Sequence, residues 1–206
     1  MVKGIVKDPA RARRLQRKAS AKGSFVATFH QVFLRHGLSM GLIALACGIL
    51  PVTSAAIRWS STSLLSAPLY YLAALPTLLL FFVLYLVFKG YEIRQTQLAW
   101  LAYLLFISAA EEFVFRLILP SLMVGAIGMI PAAIFSNLLF ASIHFVTLRW
   151  KLINCVGVFF VGLGLSRLLT NTEDIVLVML VHWMFTFLNT PTPPNRQDMV
   201  EVSEQD

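Results

Sequence analysis

Residues 98–119 read LAWLAYLLFISAAEEFVFRLIL, an almost wholly apolar run of 22 residues that is interrupted by Glu111, Glu112 and Arg116. An α-helix needs about 20 apolar residues to cross the roughly 30 Å of hydrocarbon in a bilayer. The run therefore predicts a membrane-spanning helix that carries three ionisable side chains inside the membrane.

The whole chain shares this apolar character. Of its 206 residues, 58% are hydrophobic and 13% are charged, which is far more apolar than a soluble domain. Five further apolar runs are separated by short polar or charged breaks, and the last of them is shorter than a full span. The chain is predicted to be all-α, a polytopic transmembrane helical bundle of about six spans, at residues 37–57, 64–88, 98–119, 130–148, 152–169 and 175–188.

Two stretches beside these spans allow more than one interpretation. Gly125, Gly128 and Pro131 lie at the start of the fourth span and predict a bent or re-entrant connection. Residues 25–33 have a phenylalanine at every fourth position, which is typical either of an interfacial amphipathic helix or of the start of the first span.

Charge outside the spans is unevenly distributed. The chain has 17 Lys and Arg against 10 Asp and Glu, and eight of the basic residues fall within residues 1–24. Such a block beside long apolar spans is typical of a cytoplasmic tail that touches anionic lipid, with an organellar transit peptide as the alternative. We expect the lipid bilayer, and no nucleic acid, as its partner. The predicted divisions are a basic cytoplasmic tail at 1–24, a transmembrane bundle at 25–190 and a disordered polar tail at 191–206.

Basic residues in short loops also predict the orientation, because they favour the cytoplasmic side. Alternation from a cytoplasmic N-terminus places two basic pairs on that side, Lys89 with Arg94 and Arg149 with Lys151, whereas Arg58 falls outside. The prediction is a multi-pass protein, of a bacterial cell (inner) membrane, with both termini in the cytoplasm.

The ionisable residues of the third span need partners, since each costs ~2.5–3.5 kcal/mol at the centre of a spanning helix. Arg116 follows Glu112 by one helical turn, so these two predict an ion pair. Glu111 is rotated by ~100° from Glu112 and is left over. Unless its helix end lies near the interface, Glu111 is an unpaired buried carboxylate, a group suited to general acid or base chemistry.

Two histidines also fall within spans, His144 in the fourth and His182 in the sixth. A lone buried histidine is more often structural, but two of them in one bundle with a diacid form a candidate catalytic constellation. His144 shares a helix face with Phe140, and His182 shares one with Thr186 and Asn189.

Three motifs make the chain resemble the CPBP family of intramembrane proteases, which contains the CAAX prenyl endopeptidases and bacterial Abi or bacteriocin-processing proteins. The family's EExxxR corresponds to EEFVFR at 111–116, its FxxxH to FASIH at 140–144, and its HxxxN to HWMFT at 182–186. Thr186 replaces the usual asparagine of the third motif. The resemblance covers about residues 98–190.

This resemblance implies a glutamate-type intramembrane endopeptidase that uses neither metal nor cofactor. Glu111 and His144 would activate water to attack a peptide carbonyl of a membrane-anchored protein or peptide. His182 would help to stabilise the oxyanion together with Thr186, or with Asn189 in its place. The supporting residues would be Glu112, Arg116, Phe140, Thr186 and Asn189.

Other functions fit the same residues. Glu111, His144 and His182 would make a His2Glu zinc site with an open position, although the chain has no HExxH spacing. A non-catalytic protein of the Abi or bacteriocin-immunity type would use these residues for packing and partner binding. A proton-coupled transporter would use Glu111 as a relay, but the chain shows no recognisable internal repeat.

The predicted topology separates two of the candidate residues in depth. If residues 98–119 run outward and residues 130–148 run inward, Glu111 lies in the outer half of the membrane and His144 in the inner half. At 1.5 Å of rise per residue, we expect an offset on the order of 10 Å, which tilt or different helix ends would have to remove in a shared site.

Overall fold

A computed structural model describes residues 26–194, and within this range the regular elements are helices, two of which contain a π-helical segment. The predicted basic tail at 1–24, and all but the first four residues of the predicted disordered tail at 191–206, lie outside the described residues. In chain order the helices are α1 (Phe29–Gly48), α2 (Thr53–Ser60), α3 (Thr62–Ser66), α4 (Pro68–Phe88), α5 (Gln95–Ile127), α6 (Met129–Thr147), α7 (Leu152–Thr172) and α8 (Ile175–Asn189).

Four of these helices are long and apolar enough to cross a membrane. They are α4, α5, α6 and α7, with 21, 33, 19 and 21 residues, and the bent pair of α1 and α2 makes a fifth if it counts as one span. Helix α8 is apolar but has only 15 residues. The predicted all-α polytopic bundle is confirmed, with four or five full spans in the described range instead of about six. The protein is a multi-pass membrane protein.

The first predicted span, residues 37–57, is not one helix. A bend of 100° separates α1 from α2, so the prediction of a continuous span is wrong there. Pro51 lies in the break and has no backbone N–H to continue a helix. Thr53 begins α2, and its hydroxyl donates to the Cys47 carbonyl at 2.6 Å, which ties the two helices together. Because α1 begins at Phe29, both Phe29 and Phe33 belong to this helix, as the second interpretation predicted, whereas Phe25 lies outside the described residues.

A single residue connects α5 to α6. Gly128 has φ +81° and ψ 166°, a conformation that side chains disfavour and glycine adopts readily. The connection therefore contains fewer residues than predicted. Gly125 lies inside α5, and Pro131 lies in the first turn of α6, where its missing N–H breaks no helical hydrogen bond. The two helices form a tight antiparallel hairpin.

The short helix α8 is held by aromatic contacts to its neighbours. Phe82 of α4 stacks on Phe187 with ring centroids 4.1 Å apart and meets Trp183 edge-on at 4.8 Å. Trp183 also donates from Nε1 to the Leu101 carbonyl of α5 at 3.2 Å. Because Trp183 directly follows His182, these contacts fix the rotation of α8 about its own axis next to His182.

Helix α7 approaches α6 closely at Gly162. A Cβ atom at this position would overlap Asn137 Oδ1 and come within 2.7 Å of Arg116 Nη2. The Asn137 amide cannot easily move aside, because its Nδ2 donates to the Ala133 carbonyl and to Ser166 Oγ, both at 2.8 Å. The absence of a side chain at Gly162 therefore lets α7 pack behind the buried polar residues.

We expect Gly162→Ala to destabilise the protein by about 1–3 kcal/mol, the usual cost of overpacking a core. Thermal unfolding in detergent or nanodiscs would measure the loss. Gly164→Ala, two residues away on the same helix, is the matched control, because an added Cβ there has no described neighbour within 4 Å beyond the atoms of its own helix. Equal unfolding temperatures for the two variants would contradict the close approach at Gly162.

Candidate active site

Two carboxylates lie in the middle of the bundle. Glu111 is at the midpoint of the 33-residue helix α5, and Glu112 follows it. They expose 2% and 0% of their surface. The π-helical segment Phe113–Ile118 begins directly after the pair, and such widened turns are frequent at functional sites. Carboxylates buried this deeply require partners from the surrounding helices.

Glu112 is enclosed by two partners. Its Oε2 lies 3.3 Å from Arg116 Nε, so the ion pair predicted from the four-residue spacing is present. Its Oε1 lies 2.6 Å from His182 Nδ1, a contact that the spacing did not predict. The Arg116 guanidinium also covers the ring of Phe140 at 3.8 Å. Glu112 thereby connects α5 to α8.

Glu111 faces three histidines from three other helices. Its Oε1 lies 2.9 Å from His36 Nε2 of α1 and 3.6 Å from His144 Nε2 of α6. Its Oε2 lies 3.8 Å from His182 Nε2 of α8. The expectation of an unpaired carboxylate is therefore wrong, because it considered partners on the same helix and the partners come from others.

The expected depth difference between Glu111 and His144 is also wrong. In a tight antiparallel hairpin, residues equally distant from the turn lie at the same depth. Glu111 is 17 residues before Gly128 and His144 is 16 residues after it. The expectation failed because it ended the third span at residue 119, whereas α5 continues to Ile127 and moves Glu111 to the helix midpoint.

Local contacts surround the Nδ1 atoms of His144 and His182. The Nδ1 of His144 lies 2.8 Å from the Phe140 carbonyl, which can only accept, so this Nδ1 carries a hydrogen that it donates. The Nδ1 of His182 lies 2.6 Å from Glu112 Oε1, an ion-pair distance without hydrogen-bond geometry. In both rings Nε2 is the nitrogen that faces Glu111.

A family model described as type II CAAX prenyl endopeptidase Rce1-like matches residues 93–188. Residues 93–188 are therefore similar to this family. The match confirms the resemblance to the CPBP family, and all three sequence motifs lie within the matched residues. No curated protein and no solved structure matches the chain. At the level of the family, this similarity supports a membrane-embedded endopeptidase that acts on a peptide or protein substrate.

His36 lies outside the matched residues, and the sequence interpretation missed it. The first span was predicted at residues 37–57, directly after His36, and residues 25–33 were interpreted as an interfacial helix or as the start of that span. In the structure His36 is 2% exposed and sits in the π-helical segment Phe33–Gly37 of α1. The available signal was weak: one histidine directly before an apolar run, with no motif around it.

The third motif places its last residue differently from the expectation. The Thr186 hydroxyl donates to the His182 carbonyl of its own helix at 3.0 Å. Asn189 ends α8 seven residues after His182, about 10 Å along the helix axis. The structure therefore brings His182 to Glu111. The Thr186 hydroxyl is bonded to the backbone of α8, and Asn189 lies farther along the same helix.

The site also contains a set of metal-ligand types. One ligand atom each from His36, Glu111 and His144 lies within 4.8 Å of the other two. Two imidazole nitrogens and one carboxylate match the donors of catalytic zinc sites, and the other nitrogen of each ring is hydrogen-bonded. This set differs from the zinc alternative predicted from the sequence, because His36 replaces His182.

We expect Arg116→Met to destabilise the protein by about 3–5 kcal/mol, because it strands the Glu112 carboxylate in the core. Adding Glu112→Gln to this variant should restore part of the loss by removing the stranded charge. Thermal unfolding would measure both. Arg94→Met is the control, because Arg94 pairs with Glu92 at the surface, where ion pairs contribute little. A double variant less stable than Arg116→Met would contradict this account.

Proposed function

We propose that the protein is an intramembrane endopeptidase that hydrolyses a peptide bond of a membrane-associated protein or peptide. The observation that carries the proposal is one buried carboxylate, Glu111, faced by three histidine Nε2 atoms within a membrane bundle. A proton acceptor beside groups that can hold and return protons is what hydrolysis of an amide requires. The CAAX endopeptidase description of the matched family supports the same reaction.

In the proposed mechanism, Glu111 is the general base and His144 its partner. The distances from Glu111 to His144 and His182, 3.6 and 3.8 Å, are longer than direct hydrogen bonds and suit a water molecule shared between the groups. Glu111 takes one proton from this water, and the resulting hydroxide bonds to the carbonyl carbon of the substrate. When the C–N bond breaks, the proton on Glu111 passes to the leaving nitrogen, and the carboxylate is restored.

His182 has a second task in this proposal, the stabilisation of the oxyanion. Its Nδ1 lies 2.6 Å from Glu112 Oε1, and the ring presents Nε2 toward Glu111. When Nε2 carries a proton it can donate to the negative oxygen, and such donation is strongest in a buried site that excludes water. The mechanism uses no metal and no cofactor.

The location and orientation of the protein are part of the proposal. The basic residues at 1–24, 89–94 and 149–151 favour cytoplasmic termini and loops in a bacterial cell membrane. We retain the division into a basic tail at 1–24, a bundle at 25–190 and a polar tail at 191–206. The substrate would reach the site from the bilayer as a membrane-anchored peptide.

A second candidate is a non-catalytic membrane protein of the Abi or bacteriocin-immunity type. The observation that favours it is Thr186, which replaces the asparagine of the family motif and whose hydroxyl bonds to its own helix. In that case the buried carboxylates and histidines would serve only to hold the helices together.

Glu111→Gln should abolish cleavage of a farnesylated CAAX peptide by the protein in liposomes, a loss of ~10²–10⁴-fold, because glutamine keeps the shape of the side chain but cannot accept the proton. The same peptide without its prenyl group tests whether the lipid is recognised. Glu92→Gln is the control, since the Glu92 side chain is 54% exposed. A Glu111→Gln protein that cleaves normally would refute the mechanism, and a wild type that cleaves neither peptide would favour the non-catalytic candidate.

Thr186→Val should keep the cleavage rate within ~3-fold of the wild type, because the lost hydroxyl donates to the helix and not to the oxyanion. His182→Ala, one turn away, should lose ~10²–10³-fold, the usual effect of removing an oxyanion donor. Initial rates at saturating peptide would compare the two. A loss for Thr186→Val as large as that for His182→Ala would identify Thr186 as a donor.

A further inference from the structure

We propose that His36 is a positioning residue of the site, which holds the Glu111 carboxylate in place for water activation. The inference rests on the proposed function, and it concerns a residue that lies outside the segment matched by the family model. Three features of the structure support this role: the contact of His36 with Glu111, the hydrogen bond that anchors the His36 ring, and the docking of α1.

The first feature is the contact between His36 and Glu111. Of the three histidines that face Glu111, only His36 is within direct hydrogen-bond distance, with Nε2 2.9 Å from Oε1. The side chains of His36 and Glu111 are each 3% exposed. A hydrogen bond to a carboxylate in such a poorly solvated place is stronger than one in water, so it can fix the orientation of the carboxylate.

The second feature is a hydrogen bond on the opposite side of the His36 ring. Nδ1 of His36 lies 2.8 Å from Thr147 Oγ1, near the end of α6. The same hydroxyl lies 2.6 Å from the Ile143 carbonyl, so it can either donate there and accept from Nδ1 or donate to Nδ1 itself. Because Nε2 must carry a hydrogen to donate to Glu111, a neutral His36 accepts at Nδ1 from the Thr147 hydroxyl, whereas a doubly protonated ring donates from both nitrogens. In either state the ring bridges Glu111 and α6.

The third feature is the packing of α1 against α5 and α6 through three consecutive residues. Arg35 donates from Nε to the Thr147 carbonyl at 2.9 Å, which satisfies a free carbonyl at the end of α6. His36 bonds to Glu111, and Gly37 lies so close to Tyr103 that a Cβ atom would be 2.8 Å from the Tyr103 ring. This segment of α1 is therefore fitted against α5 and α6 at the position of the site.

The consequence for the reaction follows from the other two distances. The Nε2 atoms of His144 and His182 lie 3.6 and 3.8 Å from the Glu111 carboxylate oxygens. These distances are long enough for one water molecule to bond to Glu111 and to a histidine. Without the bond to His36, the carboxylate can turn and bond directly to either ring, which would displace that water. His36 thus keeps Glu111 apart from the two histidines that work with it.

The test compares His36→Phe, which keeps a ring but has no N–H, with His36→Gln, whose amide can still donate to Glu111. Cleavage of the farnesylated CAAX peptide should show kcat lowered by ~10–100-fold in His36→Phe with KM nearly unchanged, as for the loss of an orienting partner. His36→Gln should keep kcat within ~10-fold. His30→Phe is the matched control, because His30 is exposed on the same helix and should behave as wild type.

Three results would overturn the proposal. One is a normal kcat in His36→Phe. Another is an equal loss in His36→Phe and His36→Gln, which would mean that the imidazole itself is required. The third is stoichiometric zinc, found by elemental analysis of the purified wild type and lost in both variants, which would make His36 a metal ligand.

A measurement without substrate separates this proposal from the proposed function. In a thermal-unfolding cycle of His36→Phe, Glu111→Leu and the double variant, the shifts in Tm should be non-additive, because the two residues share one hydrogen bond. Additive shifts would overturn the contact. If the wild type cleaves no peptide but the shifts are non-additive, the proposed function fails and the pairing of His36 with Glu111 stands.

Discussion

The burial of two adjacent carboxylates at the midpoint of α5 is the constraint on which the rest of the structure depends. A low-dielectric interior does not solvate them, so each must be satisfied by protein groups. Adjacent residues on a helix point about 100° apart, and the partners must therefore come from different directions. Helices α1, α6 and α8 each bring one histidine to this point, and the bundle is arranged around it.

The environments of the two carboxylates differ in a way that separates structure from chemistry. Glu112 is fully buried between Arg116 and His182, and its contacts join α5 to α8. Glu111 has one short contact and two longer ones, all to groups that can exchange a proton. One carboxylate thus orients a histidine for the other, which resembles the way that outer groups orient the ligands and bases of many enzymes.

The sequence predicted those features that depend on local composition and missed those that depend on how helices meet. The apolar runs predicted the membrane helices, and the spacing of Glu112 and Arg116 predicted their ion pair. The bend near Pro51 was hidden, because the residues on both sides of it are apolar. His36 was missed since its role depends on the docking of α1 against α5, which leaves no periodic signal in α1. The depth of His144 was misjudged because only the structure shows that the turn is a single glycine.

That single-residue turn at Gly128 has a consequence for how the chain can vary. Glu111 and His144 are aligned because nearly the same number of residues separates each of them from Gly128. Removing one residue between Gly128 and either of them would shift that residue's side chain by about 1.5 Å and also rotate it by about 100°, away from the other. Insertions and deletions during the divergence of related chains should therefore be excluded from the segment between Glu111 and His144 and confined to other segments, such as the loops before Gln95 and after Thr147.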